Sequence, residues 1–152
     1  MTIQLRTTPS TQAWGAILRA QAIVAKRLDA ELRSETELTL AWYEILLVLS
    51  QSDAGRMRMT DLAHSLLLSK SAATRLVDRL VAHGLVERST CSSDKRGTEV
   101  NLTPQGKEAF IAAGRIHLRG IETHFGRHTT DDEKAAIAEA MSRVADQNGF
   151  YR

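Results

Sequence analysis

Several features that would assign a chain to a special class of protein are scarce in this sequence of 152 residues. It contains one cysteine and two prolines, and its formal net charge is only +2. A single cysteine excludes an internal disulfide and favours a reducing cytoplasm. No apolar run reaches the roughly 18 residues of a membrane-spanning helix, and the first ten residues lack the pattern of a secretory signal. We therefore expect a cytoplasmic, helix-rich protein that needs no cofactor or metal to fold and binds no membrane.

The charges that are present are unevenly distributed along the chain. Residues 55–103 hold eight basic and five acidic side chains, whereas the rest of the chain holds 12 basic and 13 acidic ones. A basic centre between neutral-to-acidic arms is typical of a protein that binds nucleic acid. An ordinary charged surface explains the same excess, so the charges alone leave both interpretations open.

The apolar periodicity predicts a mainly α-helical fold with one small β-hairpin. Residues 39–50 are apolar on nearly all sides, which is typical of a helix buried at the centre of a molecule. A brief strand is predicted at 56–59, and the hairpin pairs strands 85–88 and 98–102. The predicted helices are 11–34, 39–50, 60–68 and 69–83, followed by one that opens at 103–104 and one that opens at 130–133.

Residues at the predicted helix ends match capping signals. Thr60 and Ser69 are good N-caps because their hydroxyls can accept a hydrogen bond from the first turn. Gly84 suits the left-handed conformation that often ends a helix. The remaining signals are Thr103 followed by Pro104 and the capping box at 130–133.

The helix 69–83 has an outer face suited to DNA. A helix about 10–12 Å across fits the major groove, and small side chains at its start let the backbone approach the bases. The residues predicted to face inward are Ala73, Leu76, Val77, Leu80 and Val81. The residues that we expect to contact DNA are Ser69, Lys70, Ser71, Ala72, Thr74, Arg75 and Arg79.

These outer residues have different expected roles. The hydroxyls of Ser71 and Thr74 can bond bases or phosphates, Ala72 can touch a thymine methyl, and Arg75 can bond a guanine. Asp78 is unexpected on such a face. We favour its pairing with Arg75 or a neighbouring arginine, and a hydrogen bond from cytosine is the alternative.

The polar loop 89–97 forms the tip of the predicted hairpin. Adjacent Lys95 and Arg96 can enter a minor groove, which attracts arginine where it is narrow. Asp94 is explained as a brace that fixes the Arg96 guanidinium. The order helix, turn, helix, strand, basic loop, strand is that of a winged helix-turn-helix, in which this hairpin is the wing.

The motifs between residue 38 and about residue 110 resemble those of the MarR (multiple antibiotic resistance regulator) family of bacterial transcription factors. The matching segments are LTLAWYEILLVLS, MTDLAHSLLLSKSAATRLVDRL, HGLVERS, the wing motif Asp94-Lys95-Arg96, and VNLTPQGKEAF. One departure is the wing segment STCSS, where the family often has a proline before the aspartate.

The resemblance implies a homodimeric regulator on a pseudo-palindromic operator, a repressor released by a small aromatic or phenolic effector and associated with the nucleoid. It implies an N-terminal dimerisation helix (1–37), a DNA-binding domain (38–103) and C-terminal dimerisation helices (104–152). The recognition helix is then 69–83, with Arg96 as the minor-groove probe and Asp94 as its brace. Effectors of the family bind near the junction of these parts, where Trp14, Trp42 and Tyr43 are expected; core packing is the alternative for these three residues.

Other interpretations remain at this stage. His117, His124 and His128 share a helix face and could bind a metal, or lie near a helix C-terminus or in a dimer interface. Cys91, near Lys95 and Arg96, could sense oxidants, or be an exposed thiol without a role. The string SSDK fits a penicillin-binding motif but lacks its companions, so we expect no enzyme. A non-specific architectural or protein-binding winged helix is the alternative function.

Overall fold

The computed structural model describes residues 7–90 and 97–149 as a mostly helical molecule with a small three-stranded sheet. This confirms the predicted fold class. No helix within those two ranges is both long and apolar enough to cross a bilayer. The helices are α1 (Pro9–Glu35), α2 (Leu40–Gln51), α3 (Met59–Ser65), α4 (Lys70–Ala82), α5 (Pro104–His124) and α6 (Asp131–Gln147), and the strands are β1 (Arg56–Arg58), β2 (Val86–Thr90) and β3 (Thr98–Leu102).

The sheet joins the predicted hairpin to the predicted brief strand. Its order is β1-β3-β2, and both pairings are antiparallel. Val100 at the centre of β3 lies opposite Met57 on one side and Arg88 on the other. Because Val100 is fully buried, this register fixes which face of the wing packs on the helices.

The core surrounds α2, as its apolar sequence predicts. Ile45, Leu46 and Leu49 of this helix are fully buried. Val77 and Leu80 of α4 belong to the same cluster. Burial of side chains of this size stabilises a fold by about 1.5–3 kcal/mol each, so α2 holds the surrounding helices and the sheet in fixed positions.

Most of the predicted helix ends are confirmed, and two details are wrong. Ser69, Thr103 and the capping box at 130–133 cap α4, α5 and α6. Thr60 does not cap α3, which already begins at Met59 because that residue is drawn into the core directly after β1. Val81 is 39% exposed rather than inward, since the buried stripe of α4 passes through Leu80 one position earlier.

Helix α1 packs on α5, and the buried residues of α1 lie in its C-terminal half. Leu28 and Leu32 are its buried residues. Nε2 of His124 lies 2.6 Å from an Oε1 of Glu31 across this seam. A Cβ at Gly120 would lie 2.5 Å from Leu28, so the absence of a side chain there lets the two helices approach. The N-terminal half of α1 and all of α6 have no buried residue.

Candidate nucleic-acid interface

The start of α4 is a well-capped helix end. The Ser69 hydroxyl accepts a hydrogen bond from the Ala72 N–H at 3.2 Å, and the Thr74 hydroxyl donates one to the Lys70 carbonyl at 2.8 Å. Ser71 is exposed, with its hydroxyl 3.2 Å from that of Ser69. The hydroxyls of Ser69 and Thr74 therefore bond to the backbone of α4, and the hydroxyl of Ser71 is the most accessible of the three.

The cations of α4 are available for an external partner. Lys70, Arg75 and Arg79 are all exposed. Neither arginine has an ion pair with any residue in the described ranges. Unpaired arginines on the outside of a helix can neutralise phosphates or bond base edges without first breaking an internal salt bridge.

Asp78 pairs with an arginine of the wing. Its Oδ1 lies 2.7 Å from Nη1 of Arg88 on β2, and Nη2 of Arg88 donates to the Thr74 carbonyl at 3.4 Å. Asp78 therefore pairs with an arginine, as predicted, but the partner is Arg88 of β2 and not Arg75 or another helix neighbour. One guanidinium thus fastens strand β2 to the outer side of α4.

A basic cleft of about 390 Å³ separates α4 from the wing. Lys70 and Thr74 line it from α4, Arg58 from β1 and Arg88 from β2. Arg58 and Arg88 were not among the sequence-predicted contacts. The alternation Arg-Met-Arg in β1 was the available signal for Arg58, because it turns both arginines away from the buried face; nothing in the sequence alone placed Arg88 beside α4.

The tip of the wing lies outside the described residues. Asp94, Lys95 and Arg96, which were predicted to contact DNA, fall in this segment, as does Cys91. Gly97 and Thr98, the first described residues after this segment, line the basic cleft.

The three aromatic residues of the expected effector pocket lie in different surroundings. Trp14 is 56% exposed on the N-terminal half of α1, whereas Trp42 and Tyr43 belong to the core. Trp42 contacts the ring of His83 edge-on, with centroids 4.7 Å apart. Tyr43 faces α5, stacked on Phe110 at 5.4 Å. Successive residues of α2 thus point to two separate sites, and Trp14 shares neither within one chain.

Tyr43 also packs on a half-buried histidine. The ring centroids of Tyr43 and His117 are 4.4 Å apart, and the Nδ1 atom of His117 is buried without a hydrogen-bond partner in the described structure. Burial lowers the pKa of His117 and raises the pKa of Tyr43. Both groups are therefore held in their neutral forms, in which they can exchange hydrogen bonds with a polar aromatic ligand.

The three histidines considered as metal ligands have separate neighbours. His117 packs on Tyr43, His124 pairs with Glu31, and His128 is exposed in the short 3₁₀ turn Gly126–His128. Within residues 7–90 and 97–149, no three potential ligands come together in a metal-binding group. The shared helix face therefore does not translate into a shared site.

Sequence comparison relates this chain to known regulators. The sequence model of the MarR family matches residues 36–97. The multiple antibiotic resistance protein MarR of Escherichia coli is 30% identical over 118 residues, which cover 78% of this chain and 81% of that protein. This chain belongs to the MarR family. The family consists of transcriptional regulators, so the winged helix-turn-helix has the role that the motifs predict.

Solved structures of MarR-family proteins share the whole architecture. AbsC of Streptomyces coelicolor is 30% identical, with a TM-score of 0.86 over 95% of this chain and 97% of its own. Sco3205 of the same organism, solved in complex with DNA, is 26% identical, with a TM-score of 0.85 over 96% of this chain and 92% of its own. The likeness extends beyond the winged helix-turn-helix to the long terminal helices.

Proposed function

We propose that this MarR-family chain is a homodimeric repressor that binds a pseudo-palindromic operator in a sequence-specific manner. The observation that carries the proposal is the outer face of α4. Its exposed cations Lys70, Arg75 and Arg79 lie beside a cleft lined by Arg58 and Arg88. A capped helix with free cations on one side, next to a hairpin, matches the dimensions and charge of a major groove flanked by phosphates.

The proposed contacts divide into two kinds. Ser71, Ala72 and Arg75 would read base edges, whereas Lys70 and Arg79 would hold phosphates. The helix N-terminus between Ser69 and Thr74 adds backbone N–H groups for a phosphate. The wing residues Asp94, Lys95 and Arg96 would add a minor-groove contact, with Arg96 as the probe.

Dimerisation is supported by the exposed terminal helices. Helix α6 has 17 residues and none of them is buried. Its apolar side chains Ile137 and Val144 are 43% and 50% exposed, and Trp14 and Leu18 of α1 are exposed in the same way. A helix of this length is marginal in water unless an apolar face packs on something. We propose that residues 1–37 and 104–152 pack on a second copy, while 38–103 binds DNA.

We also propose that a small aromatic or phenolic effector releases the operator. The effector would bind beside Tyr43, where the neutral His117 has its unpartnered Nδ1. Trp42 lies on the neighbouring side of α2. Trp14 would contribute only if α1 of the second copy packs against the junction between α2 and α5. Binding there would change how α5 sits on α2, and hence the spacing of the two winged domains.

A fluorescence-anisotropy titration tests DNA recognition. The probe is DNA from upstream of the protein's own gene, and the competitor is scrambled DNA of equal length. We expect a Kd on the order of 10⁻⁸ M and at least ~10³-fold preference over the scramble. Arg75→Ala should relax the base preference, and Arg79→Ala should weaken binding to all sequences and lower the salt slope by about 1 for each of the two subunits. Arg127→Ala, which removes an exposed arginine from the 3₁₀ turn after α5, is the control.

The alternative function makes a different prediction in the same titration. A non-specific architectural or protein-binding winged helix would bind operator and scramble equally. Equal affinity for both, together with equal losses in Arg75→Ala and Arg79→Ala, would replace the repressor proposal with that alternative.

A further inference from the structure

A second cleft lies on the side of α2 that carries Trp42. It has a volume of about 340 Å³ and lies where the end of α1, the start of α2, the end of α4 and the start of α5 meet. This volume is at the lower limit of ligand pockets, which span about 300–1,000 Å³. The residues that determine its chemistry are Glu37, Trp42, His83, Gln105 and Glu108.

The charge of this cleft is opposite to that of the DNA-binding face. Two carboxylates, those of Glu37 and Glu108, line it, and no lysine or arginine does. Both glutamates are exposed, and neither is paired with a cation in the described part of the chain. An anionic ligand would be repelled here, whereas a cation would meet two uncompensated negative charges.

The floor of the cleft is aromatic. Trp42 is 7% exposed, and its accessible part lies at the cleft beside the edge-on ring of His83. Tryptophan is the side chain that attracts cations most strongly through its ring face. Leu38, Ala109 and Ala112 complete an apolar lining, so the cleft combines a surface for an apolar group with charges for a cationic one.

His83 adds a hydrogen-bond acceptor. Its Nδ1 lies 2.8 Å from the Arg79 carbonyl, and because a carbonyl only accepts, Nδ1 must carry the ring proton. With the ring proton on Nδ1, Nε2 is the nitrogen that can accept a hydrogen bond, and it has no partner within the described ranges. An acceptor nitrogen beside two carboxylates suits the N–H groups of an ammonium ion.

We propose that this cleft binds a small organic cation, an ammonium ion joined to an aromatic or aliphatic group. The apolar part would lie against Trp42 and Ala109, and the ammonium would face Glu37, Glu108 and Nε2 of His83. This site is separate from the Tyr43 and His117 side of α2. The proposal does not depend on DNA binding, because occupancy is measured on the free protein.

Isothermal titration calorimetry with 2-phenylethylammonium tests the proposal, with 3-phenylpropionate as an anion of similar shape. For the ammonium we expect a Kd on the order of 0.1–1 mM, and for the carboxylate no measurable binding. In the Trp14→Phe variant Trp42 is the only tryptophan. A saturable change in the fluorescence emission of Trp42, with the same Kd as in calorimetry, would therefore place the ligand at the cleft.

Two variants that act by different means locate the site further. The double variant Glu37→Gln/Glu108→Gln should weaken the ammonium about five- to tenfold, while Glu139→Gln/Asp146→Asn, which removes two exposed charges from α6, should leave it unchanged. Ala112→Leu should block the cleft with a bulkier side chain and keep the charges. Circular dichroism and unfolding midpoints confirm that each variant is folded.

Three results would overturn the proposal. They are equal binding of the ammonium and the carboxylate, undiminished ammonium binding in both cleft variants, and no heat or emission change at ligand concentrations well above the expected Kd. Failure of operator binding would refute the proposed function, but it would not affect the calorimetric and fluorescence titrations of the free protein.

Discussion

At the scale of single residues, Leu67 has a conformation and an exposure that its side chain does not favour. It lies in the turn between α3 and α4 with a φ of 53° and is 77% exposed. A left-handed backbone costs a branched or bulky residue about 1–2 kcal/mol. Nothing in the sequence revealed this strain, because the segment SLLLSK reads as a continuous apolar stretch.

We predict that Leu67→Asn stabilises the protein by about 0.5–1 kcal/mol. Asparagine tolerates the left-handed region, and little buried surface is lost at an exposed site. Urea unfolding at fixed protein concentration measures the change. Val81→Asn, which removes an exposed apolar side chain from a right-handed helix, should give no gain. A lower midpoint for Leu67→Asn would show that the leucine makes a stabilising contact.

His117 should make stability depend on pH. Burial lowers its pKa in the folded protein, so the unfolded chain binds a proton more readily and stability is lost as the pH falls through the unfolded value near 6.5. We predict that the thermal midpoint drops between about pH 7.5 and about pH 5.5, and that His117→Phe, which keeps a ring against Tyr43, drops less. The exposed His64 provides the control, since His64→Gln should keep the wild-type slope.

At the scale of the elements, the sequence predicted most of the winged helix-turn-helix and missed how its parts are joined. Periodicity located α4 and β3 because each buries a regular stripe of apolar residues, and α2 was located because its sequence is apolar on nearly all sides. The cap at Ser69 was evident for the same local reason. The contact between Asp78 and Arg88 spans different elements, and neither spacing nor propensity reports on side chains ten positions apart that meet only after the hairpin folds back.

That contact supports a prediction about DNA. Asp78→Asn removes a negative charge from the DNA-facing side, which on electrostatics alone would tighten binding. We predict the opposite, a loss of about tenfold or more, because the wing is no longer held against α4. An exposed pair contributes only about 0–1 kcal/mol to stability, so the unfolding midpoint should barely move. Asp132→Asn serves as the charge-matched control in the anisotropy assay, and tighter binding by Asp78→Asn would contradict the bracing role.

At the scale of the whole molecule, the long terminal helices α1 and α6 carry apolar side chains that a single chain leaves exposed. The sequence predicted one apolar face on α6, and the structure shows that this face covers nothing within the chain. Periodicity identifies a face that needs a partner but does not say whether the partner is the same chain or another. The likeness to AbsC and Sco3205 over nearly their full lengths fixes the fold of these helices.

We predict that Ile137→Glu/Val144→Glu separates the proposed dimer into monomers. Each apolar side chain is worth about 1.5–3 kcal/mol when fully buried, and a charge in its place would be buried without a partner. Size-exclusion chromatography with light scattering measures the mass, and the thermal midpoint should cease to rise with protein concentration. Val81→Glu, an exposed site on α4, should remain dimeric. A double variant of dimeric mass would remove α6 from the interface.

The exposed face of α6 also has a genetic consequence. If the dimerisation helices α1, α5 and α6 of one copy pack on those of another, a change in α4 does not affect which copies pair. A copy that has lost Arg75 and Arg79 but keeps α1, α5 and α6 would still pair with an intact copy. The mixed dimer would have one functional recognition helix and would bind the operator poorly. Mutations in the recognition helix α4 should therefore be dominant in a cell that makes both forms. Mutations that unfold the dimerisation helices α1, α5 and α6 should be recessive.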